Sequence, residues 1–193
     1  MNSFAELIRA ARTCRRFEED KRVEAATLRQ MVDIIRIASS AANKQPLRYY
    51  TVSSQEACAK IFPHLKWAGA LPQWPGPVEG ERPTGYIVAC SAHGDNLFVH
   101  FDIGIVGQTM QLLATDLGLG CCMFNNFSRE KVREALNIPE ELEVSLVIAL
   151  GTAKEVRKVV DAKVTDKLLY WRDDEQVHYV PKLTLDQVLL DEF

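Results

Sequence analysis

Two stretches of this 193-residue chain, residues 84–91 (Thr-Gly-Tyr-Ile-Val-Ala-Cys-Ser) and 143–150 (Glu-Val-Ser-Leu-Val-Ile-Ala-Leu), are nearly continuous in apolar and β-forming side chains. A strand with one face in water alternates apolar and polar residues. These two do not, so each is expected to be a strand buried on both faces, and the chain has to cover both sides of whatever sheet holds them.

Helical patterns surround them. Ser3 and Glu6 form a capping box ahead of Phe4, Leu7, Ile8 and Ala11, so a first helix begins there and delivers Arg12 at or just past its end. A second helix is expected over residues 23–38, with Leu28, Met31, Val32 and Ile35 on one face. It stops in Ser39-Ser40-Ala41-Ala42-Asn43-Lys44-Gln45-Pro46, where small residues, an amide pair and a proline break the period. Residues 47–53 read as a strand and 55–62 as a short helix. The longest helix follows the first buried strand. Ile103, Val106, Met110, Leu113, Ala114 and Leu117 form its stripe, and Gly118 ends it. Gly104 and Gly107 lie on nearly the same side of it. Each costs a helix about 1 kcal/mol relative to alanine, so close approach of another backbone or a flat ligand is the expected return.

Residues 119–126 form a short strand running into a turn, Ser128 can cap a helix through Leu136, and 139–142 is a linker. From residue 151 on, short basic and apolar pieces alternate, closing with Val180-Pro181-Lys182-Leu183 and an amphipathic segment over 185–190. No internal repeat or boundary is visible, so residues 1–193 are expected to be one α+β domain with a C-terminal arm over 151–193. Residues 63–83 stand apart: Trp67, Trp74 and several prolines and glycines follow no helical or strand period. A loop this long is a lid, an interface segment, or a flap covering the core.

With 47% apolar and 25% charged residues, the composition is that of a globular protein and excludes disorder. A net charge of −3 argues against nucleic-acid binding. No apolar run approaches the ~20 residues of a membrane helix, and acidic Glu6 stands where a signal peptide would be apolar, so the expectation is a cytoplasmic protein without a membrane. Cys14, Cys58, Cys90, Cys121 and Cys122 are an odd set without Cys-x-x-Cys spacing, expected to be free thiols, with the adjacent pair serving packing. None of His64, His93, His100 and His178 lies in a catalytic motif. Nucleophile-elbow, zinc-protease, Walker and dinucleotide fingerprints are all missing from the sequence.

Against that mildly acidic background, Arg-Thr-Cys-Arg-Arg-Phe at residues 12–17 sets three guanidinium groups and a hydroxyl within five residues. Such a cluster suits a small anion such as phosphate, or is plain surface charge.

The cluster has company. Arg-Thr-x-Arg-x-Phe near the N-terminus is followed by Ser-Ser-Ala-x-Asn-x-Gln-Pro, then by Gly-Leu-Gly-x-x-Met-x-Asn-x-Phe after the long helix, and finally by Pro-Lys. In that order the motifs resemble the FMN-dependent nitroreductase family, and the resemblance covers essentially the whole chain. It implies a three-layer α-β-α sandwich working as an intertwined homodimer, with two FMN sites at the subunit interface. On the matching positions, Arg12 and Thr13 would hold the phosphate and ribityl end. Arg15 would lie against the phosphate or the pyrimidine edge of the flavin. Ser39, Ser40, Ala41 and Asn43 would come from the second subunit. Met123, Phe124 and Asn125 would cover one face of the ring, with a backbone N–H near Asn125 directed at N5, and Lys182 would reach back to the phosphate.

The implied activity is ping-pong reduction by NADH or NADPH of nitroaromatic, quinone-like or similar electron-poor acceptors, with the cofactor supplying the chemistry. Two alternatives stay open: another flavin reaction on the same fold, dehalogenation or dehydrogenation, with the tryptophans of 63–83 as a flat substrate wall, and a flavin-binding protein without turnover. The sequence departs from the family pattern at Ala11, Ser39, Leu47 and Leu183. The missing basic partners at Ala11 and Leu183 are expected to weaken FMN binding unless Arg16 or Lys44 compensates.

Overall fold

The two apolar runs become the central strands of an antiparallel sheet. In the computed structural model, which describes residues 3–92, 94 and 96–193 and so leaves His93 outside the described residues, β1 (Leu47–Val52), β2 (Gly85–Ser91), β3 (Leu119–Phe124) and β4 (Glu143–Thr152) pair in the order β1-β2-β4-β3. Every residue of β2 is buried. Its alternating side chains serve two cores: Ile87 and Ala89 pack with α2 (Ala25–Ile35) and α4 (Leu97–Asp116) on one face. Tyr86, Val88 and Cys90 pack with α3 (Gln55–Ile61) and α5 (Arg129–Leu136) on the other. The result is the expected α-β-α layering, and it explains the absence of polar alternation, because neither face of β2 or β4 meets water.

The first helix, α1 (Phe4–Ala10), has the full capping box, with Ser3 and Glu6 each bonding the other's backbone N–H. The second helix is shorter than its pattern. Val23 lies ahead of the helix, its N–H donating to Thr84 Oγ1, and beyond Ile35 the chain tightens into turns. Ser128 takes the N-cap position of α5, but its side chain makes no capping bond; its N–H donates to the His64 carbonyl instead. The strand expected to stop at Leu150 runs on as β4 through Gly151 and Thr152, since Gly120 and Leu119 of β3 are there to pair with them.

The tail holds a second sheet that its short, mixed pieces did not announce. β5 (Arg157–Ala162), β6 (Trp171–Arg172) and β7 (His178–Leu183) pair in the order β5-β7-β6, with β5 parallel to β7, and α6 (Leu185–Val188) follows. Pro181 stands inside β7, which would normally argue against a strand. It is tolerated because β6 pairs only with His178 and Tyr179, so at Pro181 the strand has one neighbour and no bond on its other side to lose. By length and composition α4 would suffice to cross a membrane, contrary to the expectation that no run comes close. Here it forms a layer of the sandwich, with Val106, Met110 and Ala114 in the core and Asp102 and Gln111 buried.

Candidate functional site

The Arg12–Phe17 stretch leaves α1 and lies along the ends of β3 and β4 like a short extra strand. Cys14 N–H donates to the Cys121 carbonyl at 2.8 Å, Glu18 N–H to the Thr152 carbonyl at 2.9 Å, and Lys154 N–H to the Arg16 carbonyl at 2.9 Å. Beneath it sit Gly120 and Gly151, which are cross-strand partners. A Cβ at Gly120 would stand 2.6 Å from Cys14 Sγ, and one at Gly151 would stand 2.9 Å from the Phe17 ring. The glycine pair is a flat floor on which Cys14 and Phe17 bury completely, leaving the flanking arginines to point elsewhere.

The tail sheet brings further charge to that place. Arg157 donates to the Arg12 carbonyl at 2.9 Å, and across the parallel ladder it stands opposite His178. Arg12 donates from Nη2 to the Ile8 carbonyl at 2.7 Å, while its buried Nε has no partner. Burial, then the neighbouring Arg157, lowers the Arg12 pKa, although a guanidinium stays charged in water's pH range. Arg15 bonds His178 at 3.2 Å and lies 4.4 Å over the Tyr170 ring. The nearby carboxylate, Glu155, is already occupied: Arg172 donates to one oxygen at 2.8 Å and the Arg15 main-chain N–H to the other at 2.6 Å. Arg12, Arg15 and Arg157 therefore have no carboxylate partner among the described residues, and such a half-buried concentration of positive charge calls for an anion.

Both compensating residues considered from sequence have partners of their own within the chain. Arg16 grips both oxygens of Glu81 at 2.6 Å, with Lys154 adding a contact at 3.0 Å. Lys44 lies over the Phe98 ring. Arg157, 145 residues from Arg12 in sequence, supplies the additional guanidinium. Arg157, Glu155, Tyr170 and Arg172 carry no signal in the sequence beyond the basic pieces of the tail, and His178 stands out only as one of four histidines outside any catalytic motif.

These ionisable groups set the acid stability. The Arg16 hydrogen bond, aided by Lys154 against opposing burial, holds Glu81 at about 2. Glu81 therefore stabilises the fold above its ordinary 4.5 and loses that contribution as pH falls through about 2. Burial, then the charges of Arg15, Arg172 and Arg157, push His178 from 6.5 down to about 4. The unfolded imidazole takes up a proton before the folded one does, so stability declines as pH falls from 6.5 and this decline levels off below about 4. Each group contributes on the order of 3 kcal/mol to this pH dependence. Urea unfolding across the acid range should show both declines, and a His178→Gln variant should lack the upper one; the same upper decline in that variant would contradict the assignment. The thiols take no part. Burial raises Cys14 to about 11 and Cys122 to about 12, so both stay protonated and serve packing.

The second group of expected site residues lies along α4. Asp102, only 3% exposed, accepts from Ser40 Oγ at 2.6 Å and from the Ala41 N–H at 2.8 Å. Ser40 Oγ accepts in turn from the Gln45 N–H at 2.9 Å, and Gln45 Nε2 donates to Asn43 Oδ1 at 3.0 Å. This network holds Ala42, Asn43 and Gln45 at positive φ, a conformation that non-glycine residues adopt only when their surroundings impose it. Ser39 and Ser40 line a cavity of about 270 Å³ between this turn, α2 and β1. Five residues on, about 7.5 Å along the helix axis, Gly107 seats Met123: a Cβ there would stand 2.8 Å from its sulfur. Gly104 meets nothing within 4 Å and opens instead onto a cavity of about 410 Å³ that Asn125 also lines.

Thr13 bridges to Cys121, two residues before Met123, so the arginine segment and the β3 turn adjoin along one strand. The Phe124 side chain is buried against Trp67, centroids 4.6 Å apart. Asn125 accepts from Arg129 at 3.0 Å. Lys182 is exposed and lies four residues beyond His178 on β7, about 13 Å along the strand, so this single chain does not set it beside Arg15. The 63–83 loop fastens the arginine cluster to the core: Trp67 packs on Phe62, Trp74 and Phe124, while Arg172 lies 4.1 Å over Trp74 and the Ala70 N–H reaches Tyr170 Oη. Both tryptophans are half-buried, and their rings meet edge to face.

Comparison with known proteins agrees with this fold. A protein of Archaeoglobus fulgidus provisionally named an NADH dehydrogenase/NAD(P)H nitroreductase is 24% identical over 156 residues, covering 76% of this chain and 84% of its own. Among solved structures, a nitroreductase family protein of Clostridium difficile 630 superposes with a TM-score of 0.63 at 25% identity, covering 81% of this chain and 87% of that one. An FMN-dependent nitroreductase of Clostridium difficile R20291 does so with a TM-score of 0.64 at 20% identity, covering 80% and 90%. The sequence model of the Nitroreductase family matches residues 8–152. Since that match takes in the arginine segment, the small-residue turn and the β3 turn together, the chain belongs to the nitroreductase family.

Proposed function

We propose that this protein is an FMN-dependent NAD(P)H oxidoreductase acting on nitroaromatic, quinone or similar electron-poor acceptors. The observation that carries the reading is the trio Arg12, Arg15 and Arg157, gathered without a carboxylate of its own beside the strand that carries Met123 and leads into Asn125. The residues fit the cofactor: Arg12 has a buried, unpartnered Nε, and Thr13 adds a hydroxyl for the ribityl chain. Arg157 takes the place of the arginine missing at Ala11. When bound, FMN supplies the redox chemistry, taking hydride from NADH or NADPH and handing reducing equivalents to the acceptor.

The chain's own contribution is then binding and orientation. Arg12, Arg15 and Arg157 hold the phosphate end, with Lys182 approaching from the C-terminal arm. Met123 and the backbone at Phe124 and Asn125 bound the ring, and the Ser39–Ser40–Ala41–Asn43 turn, stiffened by Asp102, closes the site of a second subunit. A homodimer also accounts for the apolar surface of a single chain: Leu97, Phe98 and Phe101 on α4, Ile37, Phe4, and the tail residues Val188, Leu190 and Phe193 are all exposed. The five free, buried cysteines suit the reducing cytoplasm.

Purified protein should be yellow, lose its flavin absorbance when NADPH or NADH is added, and regain it with a quinone or nitroaromatic. Protein that is colourless and stays without flavin after incubation with FMN would sink the proposal. Flavin that binds but resists both nucleotides would point to binding without turnover.

A further inference from the structure

Arg15 is oriented by neutral groups. Its Nη1–H donates to His178 Nε2 at 3.2 Å, its guanidinium lies over Tyr170, and the Tyr170 ring is 5.1 Å from the His178 ring. Arginine has no acceptor, so Nε2 carries the lone pair and the ring hydrogen sits on Nδ1, which makes the imidazole neutral. His178 is 1% exposed and fixed on β7 opposite Arg157, so packing holds the acceptor in place. Arg16, one residue away, shows the contrast: the carboxylate of Glu81 both orients it and cancels its charge. Glu155 could have done the same to Arg15, but Arg172 pairs with it instead, and Arg15 reaches it only through its main-chain N–H.

A carboxylate at position 178 would orient Arg15 at least as firmly as imidazole does, and would remove the charge a bound anion needs. Resting on the FMN reading above, we propose that His178 is a positioning residue, a neutral acceptor that fixes the Arg15 guanidinium and leaves its charge, beside those of Arg12 and Arg157, uncompensated for the phosphate end of the cofactor.

Two substitutions separate orientation from charge: His178→Gln keeps a neutral acceptor, and His178→Glu installs a carboxylate. Full-length proteins are titrated with FMN and with riboflavin, which shares the ring but lacks the phosphate. The rise in unfolding temperature caused by inorganic phosphate is measured alongside, at constant ionic strength. Wild type should prefer FMN, and the Gln variant should keep that preference within about threefold. The Glu variant should lose about 10- to 100-fold in FMN affinity, with riboflavin affinity unchanged and the phosphate effect abolished. A Glu variant that keeps the wild-type ratio overturns the proposal, as does a Gln variant that loses it equally, which would mark His178 as merely structural. Should the Glu variant fail to fold, His178→Leu should show a lower FMN-to-riboflavin ratio than His178→Gln, and equal ratios overturn the proposal. Wild type that shows no FMN preference but is stabilised by phosphate in a Glu-sensitive way would defeat the flavin reading and leave the role of His178 standing. No preference together with no phosphate effect would defeat both.

Discussion

Alanine at Arg15 is expected to release bound FMN from an otherwise folded protein, with affinity lowered about 10- to 100-fold. The side chain's partners within the chain are His178 and Tyr170, so removal sacrifices one hydrogen bond from a charged donor to a neutral acceptor and one cation–π contact, about 2–4 kcal/mol together. Relief from the neighbouring cations offsets part of that. Arg12→Ala and Arg157→Ala should act in the same direction. Arg16→Ala should do the opposite, retaining flavin affinity but losing stability, because it strips the main partner from the nearly buried Glu81 carboxylate. Flavin retained after gel filtration, measured beside thermal unfolding, separates the two behaviours. Full flavin occupancy in both Arg12→Ala and Arg15→Ala would show that this stretch does not hold the cofactor.

Gly151→Ala should destabilise the fold by about 2–3 kcal/mol, the cost of overpacking a site that cannot yield, and so lower the unfolding temperature by roughly 5–10 °C. The new methyl would meet Phe17 Cδ1 at 2.9 Å and its Cβ at 3.1 Å. A Cβ moves only with its backbone, and the Phe17 backbone is tied by its N–H to the Glu81 carbonyl at 3.0 Å and by the Phe17–Ala153 bridge. Gly120→Ala meets Cys14 Cβ at 2.8 Å and should behave alike. In either variant the chain can escape only by lifting the segment that carries Arg12 and Arg15, so cofactor affinity should fall along with stability. Gly104→Ala provides the control: its methyl meets nothing within 4 Å, and the gain in helix propensity should stabilise by about 0.5–1 kcal/mol. Equal unfolding temperatures for Gly104→Ala and Gly151→Ala would refute the glycine floor.

The capping box at Ser3 and Glu6, the buried character of β2 and β4, and the end of α4 before Gly118 were legible because each depends on residues within a turn or a strand of one another. The second helix starts two residues late, where Val23 is instead bonded through its N–H to Thr84, a partner 61 residues away that no local pattern reveals. The tail sheet was hidden by its length: β6 has two residues, β7 contains a proline, and β5 finds its partner only across the chain. The tryptophans of the 63–83 loop suggested a substrate wall by composition, and they pack against Phe124 and Arg172, far away in sequence.

By itself the sequence determined the layered α+β class, the placement of Arg12 to Phe17 just past the first helix, and the order of motifs that marks the family. Only the tertiary structure decided which charges stay free. Five arginines and two glutamates meet around that stretch, and whether a guanidinium attracts a ligand or is cancelled internally depends on pairings across long stretches of chain: Arg16 with Glu81, Arg172 with Glu155, and Arg15 with a neutral histidine. Charge in a half-buried site acts over a few ångströms and is blind to sequence distance, so the site took its electrostatic form only when the tail sheet folded back onto the first turn after α1.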